Sequence, residues 1–239
     1  MRQARTIDIV GAMRSCDFDW LFIDMEHGSL SLDAASQLSV AALECGITPI
    51  VRAPIMDLTT AARALDNGAL GIIMPRVETV EQARQIADRL RYAPAGHRSV
   101  IGTLPHFSFK APPLAEATRL MDAATMLAVI IETPIGVENV EQIAAVAGID
   151  LLLIGANDLT LEMGIHGQFT SPAFDAAVTK VLAAGKKHGK FVGLGGVADE
   201  NVMRNYVRQG VRFIPAGADI QFMMQAAEQR TAALRKLLG

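Results

Sequence analysis

The sequence is poor in the residues that mark several classes of protein. Aromatic side chains make up 5% of its 239 residues, and its only cysteines are Cys16 and Cys45. Two cysteines are too few for a disulfide framework and indicate a reducing compartment. No stretch of 18 residues is free of charge, and the first ten residues lack the long apolar core of a signal peptide. We therefore expect a cytoplasmic globular protein.

Positive charge is also scarce. The 22 lysines and arginines are outnumbered by 25 acidic residues, which gives a net charge of -3. This balance provides no basic surface for nucleic acid and no polybasic patch for a membrane. Apolar residues, in contrast, make up 51% of the chain, which is enough for a large core. Since no linker is evident, we expect residues 1–239 to form one domain whose partners are small molecules.

Seven short apolar runs alternate with segments of helical pattern. The runs are nearly all apolar, which is typical of parallel strands that are covered on both faces. The segments between them carry apolar residues at helical spacing, begin at Ser, Asp or Pro, and end at Gly. These repeated β-then-α units predict an α/β fold, specifically a (β/α)8 barrel of parallel strands. The predicted strands are residues 20–25, 47–52, 70–75, 126–132, 150–155, 190–195 and 211–216.

A closed barrel needs an eighth strand, and the sequence offers two places for it. One is segment 99–104, inside the Pro- and Gly-rich stretch 93–112 that predicts a long loop. The other lies ahead of the helix that begins near Thr6, where a first strand would be short or missing. An open doubly wound sheet is the alternative fold, because the sequence does not reveal strand order.

Polar side chains stand where several of the predicted strands end. Catalytic groups of parallel α/β folds cluster at the carboxyl ends of the strands, so we expect these side chains to meet at one mouth. The convergence of ionisable groups at strand ends is the main functional signal in the sequence. The residues concerned are Asp24, Glu26, His27, Arg52, Glu132, Asn157 and Asp158.

Glu132 and Asp158 are the candidate metal ligands. Two carboxylates that leave room for water suit Mg²⁺ or Mn²⁺, hard ions that keep part of their hydration. Each residue also has a structural alternative. Glu132 could pair with an arginine of the barrel, and Asp158 could cap the short helix that follows it.

Arg52 and His27 are the candidate catalytic groups. A guanidinium at a strand end could hold a carboxylate or an enolate oxygen with two N–H groups, or it could pair with Asp24 or Glu132 instead. His27 could act as a general base, since imidazole titrates near neutrality, with Asp24 supporting it. Glu26 could face the mouth or point away from it towards the helices.

Over nearly its whole length the sequence resembles the HpcH/HpaI family of class II 2-oxo-acid aldolases, similar to 2,4-dihydroxyhept-2-ene-1,7-dioate and 2-keto-3-deoxyglucarate aldolases. The resemblance implies a metal-dependent carbon–carbon lyase that contains Mg²⁺, Mn²⁺ or Co²⁺. Such an enzyme cleaves 4-hydroxy-2-oxo acids to pyruvate, or a related 2-oxo acid, plus an aldehyde. The matching blocks are residues 18–28, 49–52, 64–84, 92–99, 130–159 and 216–223.

The resemblance also implies roles for single residues. Glu132 and Asp158 would hold the divalent ion, and His27 would be the catalytic base. Arg52 would stabilise the enolate and orient the 2-oxo acid. Asp66 would orient His27 and raise its basicity, a role that the resemblance alone suggests.

Further features follow from the same resemblance. The backbone amides of Asn157 and Asp158 would receive the substrate carboxylate. Well-known members carry glutamine where this chain has Ile130, which leaves the substrate open. The family commonly forms hexamers through its C-terminal helix, so residues 221–239 predict a homo-oligomer, a trimer or a hexamer.

Three other functions account for part of the pattern. A CoA-ester lyase of the citrate or malyl lyase kind would use the same two carboxylates, but no basic site for the CoA phosphates is evident. A phosphate-binding barrel isomerase would use the glycines of residues 193–196 and 215–218. A non-catalytic oligomeric barrel that binds oxo acids is the third alternative.

Overall fold

The computed structural model describes residues 1–237, and its centre is a six-stranded parallel sheet. The strands lie side by side in chain order, which requires a helical crossover between each strand and the next. This arrangement confirms the α/β class and excludes the strand-order reversal of a doubly wound sheet. The strands are β1 (Trp20–Asp24), β2 (Thr48–Arg52), β3 (Gly71–Met74), β4 (Met126–Ile131), β5 (Leu151–Gly155) and β6 (Phe191–Gly195).

Helices precede β1, connect the strands and follow β6. A 3-10 turn at Pro105–Phe107 adds to the connection between β3 and β4. Within residues 1–237 the helices are α1 (Asp8–Ser15), α2 (Leu32–Cys45), α3 (Leu58–Asp66), α4 (Val80–Leu90), α5 (Leu114–Ala124), α6 (Pro134–Glu138), α7 (Val140–Ala144), α8 (Ala156–Glu162), α9 (Pro172–His188), α10 (Glu200–Gln209) and α11 (Asp219–Arg235).

The residues that were expected to start and stop helices do so. The Ser31 side chain accepts a hydrogen bond from the backbone of Ala34 at the start of α2, and Gly46 ends that helix with φ of 69°. Ser171 and Gly189 bound α9 in the same way. A capping box at Thr79 starts α4. Local sequence therefore places the ends of these outer helices.

Two separate apolar layers explain why whole strands are apolar. The larger layer lies between the sheet and the helices and includes Ile23 and Ile72. The smaller layer includes Ile50, Ile73 and Ile130 and contains side chains only from the strands and from Phe213. Since successive strand residues face opposite sides, each strand supplies both layers. The helices therefore cover one face, and the other face surrounds an interior.

The expected barrel is not closed within residues 1–237, because the continuous sheet has six strands rather than eight. At the β1 edge, Met1 accepts a hydrogen bond from the backbone of Asp24 at 3.0 Å and donates one to Phe22. At the β6 edge, predicted strand 211–216 contributes a single bridge, from Phe213 to Gly193. Trp20 and Phe213 stack across the space between the two edges, with ring centroids 3.9 Å apart.

Segment 99–104 does not supply a strand, and this candidate for the missing element was wrong. The segment has no regular structure and belongs to the long loop that was expected at 93–112. Leu104 and Phe107 of this loop pack with Tyr92 and Met121 in a small apolar cluster. The loop is therefore attached to the domain by its own apolar side chains. Among residues 1–237, no helix has both the length and the apolarity to cross a membrane.

Candidate functional site

The carboxyl ends of the strands open into a cavity of about 690 Å³. Apolar side chains from the interior layer, among them Phe22, Ile130 and Leu153, lie at its base. Polar groups from separate strands, from the first two residues and from the segment after β6 complete its wall. The predicted site residues that line this cavity are Asp24, His27, Arg52, Glu132, Asn157 and Asp158.

Asp24 and Arg52 form a buried ion pair that strand register creates. The two residues are direct partners at the ends of β1 and β2. Arg52 Nε donates to Asp24 Oδ1 at 2.9 Å, and Arg52 Nη2 donates to Asp24 Oδ2 at 2.6 Å. Both side chains are buried. This two-point contact is the strong form of the arginine–carboxylate pair, and it fixes the plane of the guanidinium at the mouth.

Asp24 accepts further hydrogen bonds. Arg2 Nε donates to its Oδ2 at 2.8 Å, and the backbone amides of Glu26 and His27 donate to its Oδ1 at 3.1 and 3.2 Å. Burial acts to raise the pKa of Asp24, but the hydrogen bonds and charge of Arg52 outweigh it and hold the pKa at about 2. Asp24 is therefore a permanent anion that organises the groups around it.

Glu26 faces the mouth, which decides between the two orientations that the sequence left open. Its Oε2 lies 2.9 Å from Arg52 Nη1 and 3.7 Å from His27 Nε2. Burial raises the pKa of Glu26, although the charges of Arg52 and His27 oppose this shift. The His27 side chain is 55% exposed and reaches into the open part of the cavity. Glu26 thus connects the candidate base to the candidate enolate-binding group.

Glu132 is a buried carboxylate directly after β4. Its Oε1 accepts a hydrogen bond from the backbone amide of Arg76 at 2.7 Å. Burial is the largest cause that raises the pKa of Glu132, to about 7, and the nearby charges of Asp158 and Glu26 add to it. The arginine ion pair considered as its structural role is absent among residues 1–237, where Arg76 contacts it through the backbone only.

Space for the Glu132 side chain depends on Gly155. A Cβ atom at position 155 would lie 2.7 Å from Glu132 Oε2, so only glycine fits without a shift of the carboxylate. Gly155 also precedes α8, whose first turn contains Asp158. The N-cap of α8 is Gly155 itself, with no side-chain hydrogen bond, so Asp158 is not the cap of that helix. Its carboxylate is exposed and lines the same cavity as Glu132.

The residues at this place fit a divalent cation. Glu132 Oε2 accepts no hydrogen bond within the part of the chain that is described, and the charge of Asp158 opposes that of Glu132. A cation between two such carboxylates removes their repulsion and replaces the lost hydration. In residues 1–237 no cluster of three or more His, Cys, Asp or Glu side chains could hold a metal. The pair therefore suits a hard ion that keeps water or substrate oxygens as its other ligands.

Asp66 lies apart from the other candidates. It is the last residue of α3, shortly before β3 begins, and its Oδ1 accepts a hydrogen bond from Arg98 Nη2 at 2.7 Å. Helices in βα units run back from the mouth, so the end of α3 lies towards the opposite end of the sheet. Asp66 does not line the cavity, and within residues 1–237 of one chain it makes no contact with His27. The expected Asp66–His27 pairing is thus not formed within one chain.

The sequence left the orientation of one contributor to the site undecided and did not point to another. Glu26 was visible in the sequence, but its direction could not be read from a position just past a strand end. Arg2 was overlooked because its neighbours are remote: its side chain meets Asp24, and its backbone amide meets Asp219, 217 positions away. A long-range contact of this kind leaves no signal in local periodicity.

Known proteins share both the sequence pattern and the fold. Residues 3–226 match the family described as HpcH/HpaI aldolase/citrate lyase. The chain belongs to this family. One relative, a 4-hydroxy-4-methyl-2-oxoglutarate aldolase from Hapsidospora irregularis, is 36% identical over 96% of this chain and 86% of its own length. A hydroxypyruvate/pyruvate aldolase from Deinococcus radiodurans is 34% identical over 91% of this chain and 78% of its own.

A solved structure also matches nearly the whole chain. The crystal structure of an HpcH/HpaI aldolase from Desulfitobacterium hafniense superimposes with a TM-score of 0.92 at 26% identity. The match covers 98% of this chain and 90% of the other. These similarities confirm the predicted family and the predicted enzyme class, an aldolase.

Proposed function

We propose that this aldolase is a class II enzyme that cleaves 4-hydroxy-2-oxo acids to pyruvate, or a related 2-oxo acid, and a carbonyl compound. One observation supports the proposal above all others. Two carboxylates, Glu132 and Asp158, line the same cavity as Arg52 and His27. No lysine is among the described residues that line this cavity, so the lysine Schiff base of a class I aldolase cannot form there.

Glu132 and Asp158 are the residues that would hold the divalent ion, which is Mg²⁺, Mn²⁺ or Co²⁺ in this proposal. When bound, such an ion supplies a Lewis acid beside the oxygens of a 2-oxo acid. The backbone amides of Asn157 and Asp158 lie in the first turn of α8 beside the same cavity and would receive the substrate carboxylate.

Arg52 and His27 would carry out the bond cleavage. His27 takes the proton of the 4-hydroxyl group, the C3–C4 bond breaks, and its electron pair moves into the enolate of the 2-oxo acid. Arg52 donates two of its five N–H groups to Asp24, and its Nη1 lies 2.9 Å from Glu26. N–H groups on Nη1 and Nη2 therefore remain to donate to the enolate oxygen as negative charge develops. Protonation of C3 then gives the 2-oxo acid product.

The domain that presents these groups is proposed to be a (β/α)8 barrel formed by the chain as one unit. Met1 occupies the position of a strand beside β1, and Phe213 that of a strand beside β6. The stacked rings of Trp20 and Phe213 span the interval between the two edges. Residues 238 and 239 lie outside the described part of this unit.

A homo-oligomer, a trimer or a hexamer, is part of the same proposal. None of the residues of α11 (Asp219–Arg235) is buried by the rest of the described chain. Phe222, Met223, Met224 and Leu234 are exposed along this helix. Most of the stability of a helix in a protein comes from tertiary packing, so a second copy of the chain is the natural partner for these exposed apolar side chains.

The metal requirement tests the proposed function directly. We expect purified protein to release pyruvate from 4-hydroxy-4-methyl-2-oxoglutarate, to lose this activity in EDTA and to regain it with Mg²⁺, Mn²⁺ or Co²⁺. A coupled assay for pyruvate provides the measurement. Full activity in EDTA would contradict a class II mechanism. So would inactivation by borohydride in the presence of pyruvate, because it would reveal a Schiff base on lysine.

Replacement of His27 by alanine should separate catalysis from metal binding. Loss of a general base lowers turnover by about 10²- to 10⁴-fold, whereas the carboxylates of Glu132 and Asp158 are untouched. We expect kcat to fall within this range and the Mn²⁺ affinity measured by calorimetry to change less than about twofold. His166→Ala, on an exposed loop, is the matched control. Unchanged kcat in His27→Ala would remove His27 from the mechanism.

A further inference from the structure

Arg2 places a second guanidinium at the mouth of the cavity. Arg2 and Arg52 are the only lysine or arginine residues among the described residues that line it. Only Nε of Arg2 is engaged, by Asp24, and the side chain is 43% exposed. Its Nη1 and Nη2 atoms donate to no acceptor in residues 1–237. Two nitrogens with parallel N–H groups are therefore available to a ligand that enters the cavity.

Asp219 fixes the position of Arg2. Its carboxylate accepts hydrogen bonds from three consecutive backbone amides, those of Arg2, Gln3 and Ala4, at 3.1, 2.9 and 2.6 Å. These contacts lower the pKa of Asp219, although burial opposes them, so the anchor is charged at neutral pH. The backbone under Arg2 is therefore held in place, and less freedom is lost when its side chain binds a ligand.

Arg2 lies close to the proposed reaction centre. Arg2 Nε and Arg52 Nη2 both donate to the same oxygen, Asp24 Oδ2, so these two nitrogens are within two hydrogen-bond lengths of each other. Most other ionisable groups in the cavity wall are carboxylates, which repel an anionic group on a substrate. The free side of Arg2 is therefore the position at which a second carboxylate of a short substrate can be accepted.

We propose that Arg2 is a specificity-determining residue that binds a carboxylate on the part of the substrate beyond the cleaved bond. The preferred substrates are then short diacids, in which the fragment released from the 2-oxo acid itself bears a carboxylate. This inference rests on the proposed function for the identity of the substrate. Binding of a second carboxylate by Arg2 can, however, be measured without any cleavage of a substrate.

A pair of ligands with equal carbon skeletons isolates the second carboxylate. 2-Oxoglutarate and 2-oxopentanoate differ only at C5, where one has a carboxylate and the other a methyl group, and neither has the 4-hydroxyl group needed for cleavage. Calorimetric titration of Mg²⁺-loaded protein should show about tenfold tighter binding of 2-oxoglutarate, the effect expected of one charge-assisted contact. Arg2→Ala should abolish this preference and leave 2-oxopentanoate affinity within about twofold.

Two further variants sharpen the result. Arg2→Lys should keep part of the preference, because it retains the charge but not the two-pronged geometry. Arg5→Ala removes a neighbouring arginine that bonds Ser29 and does not line the cavity, so it should keep the full preference. A wild-type protein without preference would overturn the proposal. A preference that survives in Arg2→Ala would also overturn it. An equal loss of affinity for both ligands would do the same, because it would mean that Arg2 acts only by holding Asp24.

Cleavage then connects this preference to the reaction. With 4-hydroxy-2-oxoglutarate and 4-hydroxy-2-oxopentanoate as substrates, Arg2→Ala should raise KM about tenfold for the diacid alone, with kcat nearly unchanged. An equal change of KM for both substrates would overturn the role of Arg2. If neither substrate is cleaved by the wild-type protein, the proposed function fails, whereas the ligand preference still decides the role of Arg2.

Discussion

Replacement of Glu132 by glutamine is expected to reduce aldol cleavage by about 10³-fold or more and to remove tight binding of a divalent ion. Glutamine keeps the shape and the hydrogen bond from the Arg76 amide, but it cannot offer a negative charge to a cation. Pyruvate release measures the first effect, and Mn²⁺ titration by calorimetry the second. Glu138→Gln, on an exposed position of α6, is the control and should match the wild-type protein.

The elevated pKa of Glu132 makes this prediction more specific. With a pKa of about 7, the carboxyl group of the metal-free protein is protonated below neutral pH, and a cation must displace that proton. Metal affinity of the wild-type protein should therefore fall as pH decreases below about 7. The variant should fold at least as stably without metal, because it no longer buries a carboxylate next to Asp158. Metal affinity that is independent of pH between 5 and about 7 would contradict this assignment.

Arg52→Lys is expected to reduce kcat by about 10²-fold while the protein remains folded. Lysine preserves one positive charge, but it cannot donate to Asp24, to Glu26 and to an enolate oxygen at the same time. Steady-state kinetics of pyruvate release provides the measurement. Arg84→Lys, on the exposed surface of α4, is the control because within residues 1–237 Arg84 forms one weak ion pair, with Glu81. Wild-type kcat in Arg52→Lys would exclude a role for the guanidinium fork.

The same variant should change stability in acid. The pKa of Asp24 is about 2 in the folded protein, and its ordinary value, which applies to the unfolded chain, is 3.8. Ionisation of Asp24 therefore stabilises the folded protein fully above pH 3.8. This contribution, about 2 kcal/mol for a buried group, is lost as pH falls through about 2. Removal of the Arg52 fork raises the pKa of Asp24, so acid unfolding of Arg52→Lys, followed by circular dichroism, should begin at a higher pH. Identical acid transitions would show that Arg52 does not control Asp24.

The sequence predicted the mouth of the site because a buried parallel strand has a simple signature. The apolar runs that end at Arg52 and before Glu132 are β2 and β4, and both polar residues line the cavity. Parallel strands bring their carboxyl ends to one edge, so a position in the chain was enough to place these side chains. Chain position does not, however, specify side-chain partners. The contact of Glu26 with both Arg52 and His27 became visible only in three dimensions.

Two expectations depend on how distant parts of the chain meet, which local sequence does not determine. Asp66 ends a helix that runs back from the mouth, so its sequence distance from His27 says nothing about contact, and Arg98 is its partner. The barrel was expected from the repeated β-then-α units, and residues 211–216 form one isolated bridge with β6. Hydrogen bonding at a sheet edge depends on how closely two segments approach, which hydropathy does not report.

In the proposed oligomer, Asp219 would couple the assembly of the protein to its choice of substrate. It is the first residue of α11 and, at the same time, the anchor of the backbone that carries Arg2. Packing of α11 on a second copy of the chain would hold this anchor still, whereas separation of the copies would leave it on an unsupported helix. Dilution should therefore weaken discrimination between diacids and monoacids before it displaces the catalytic groups on the strands. By linkage, a bound diacid should in turn favour the assembled form.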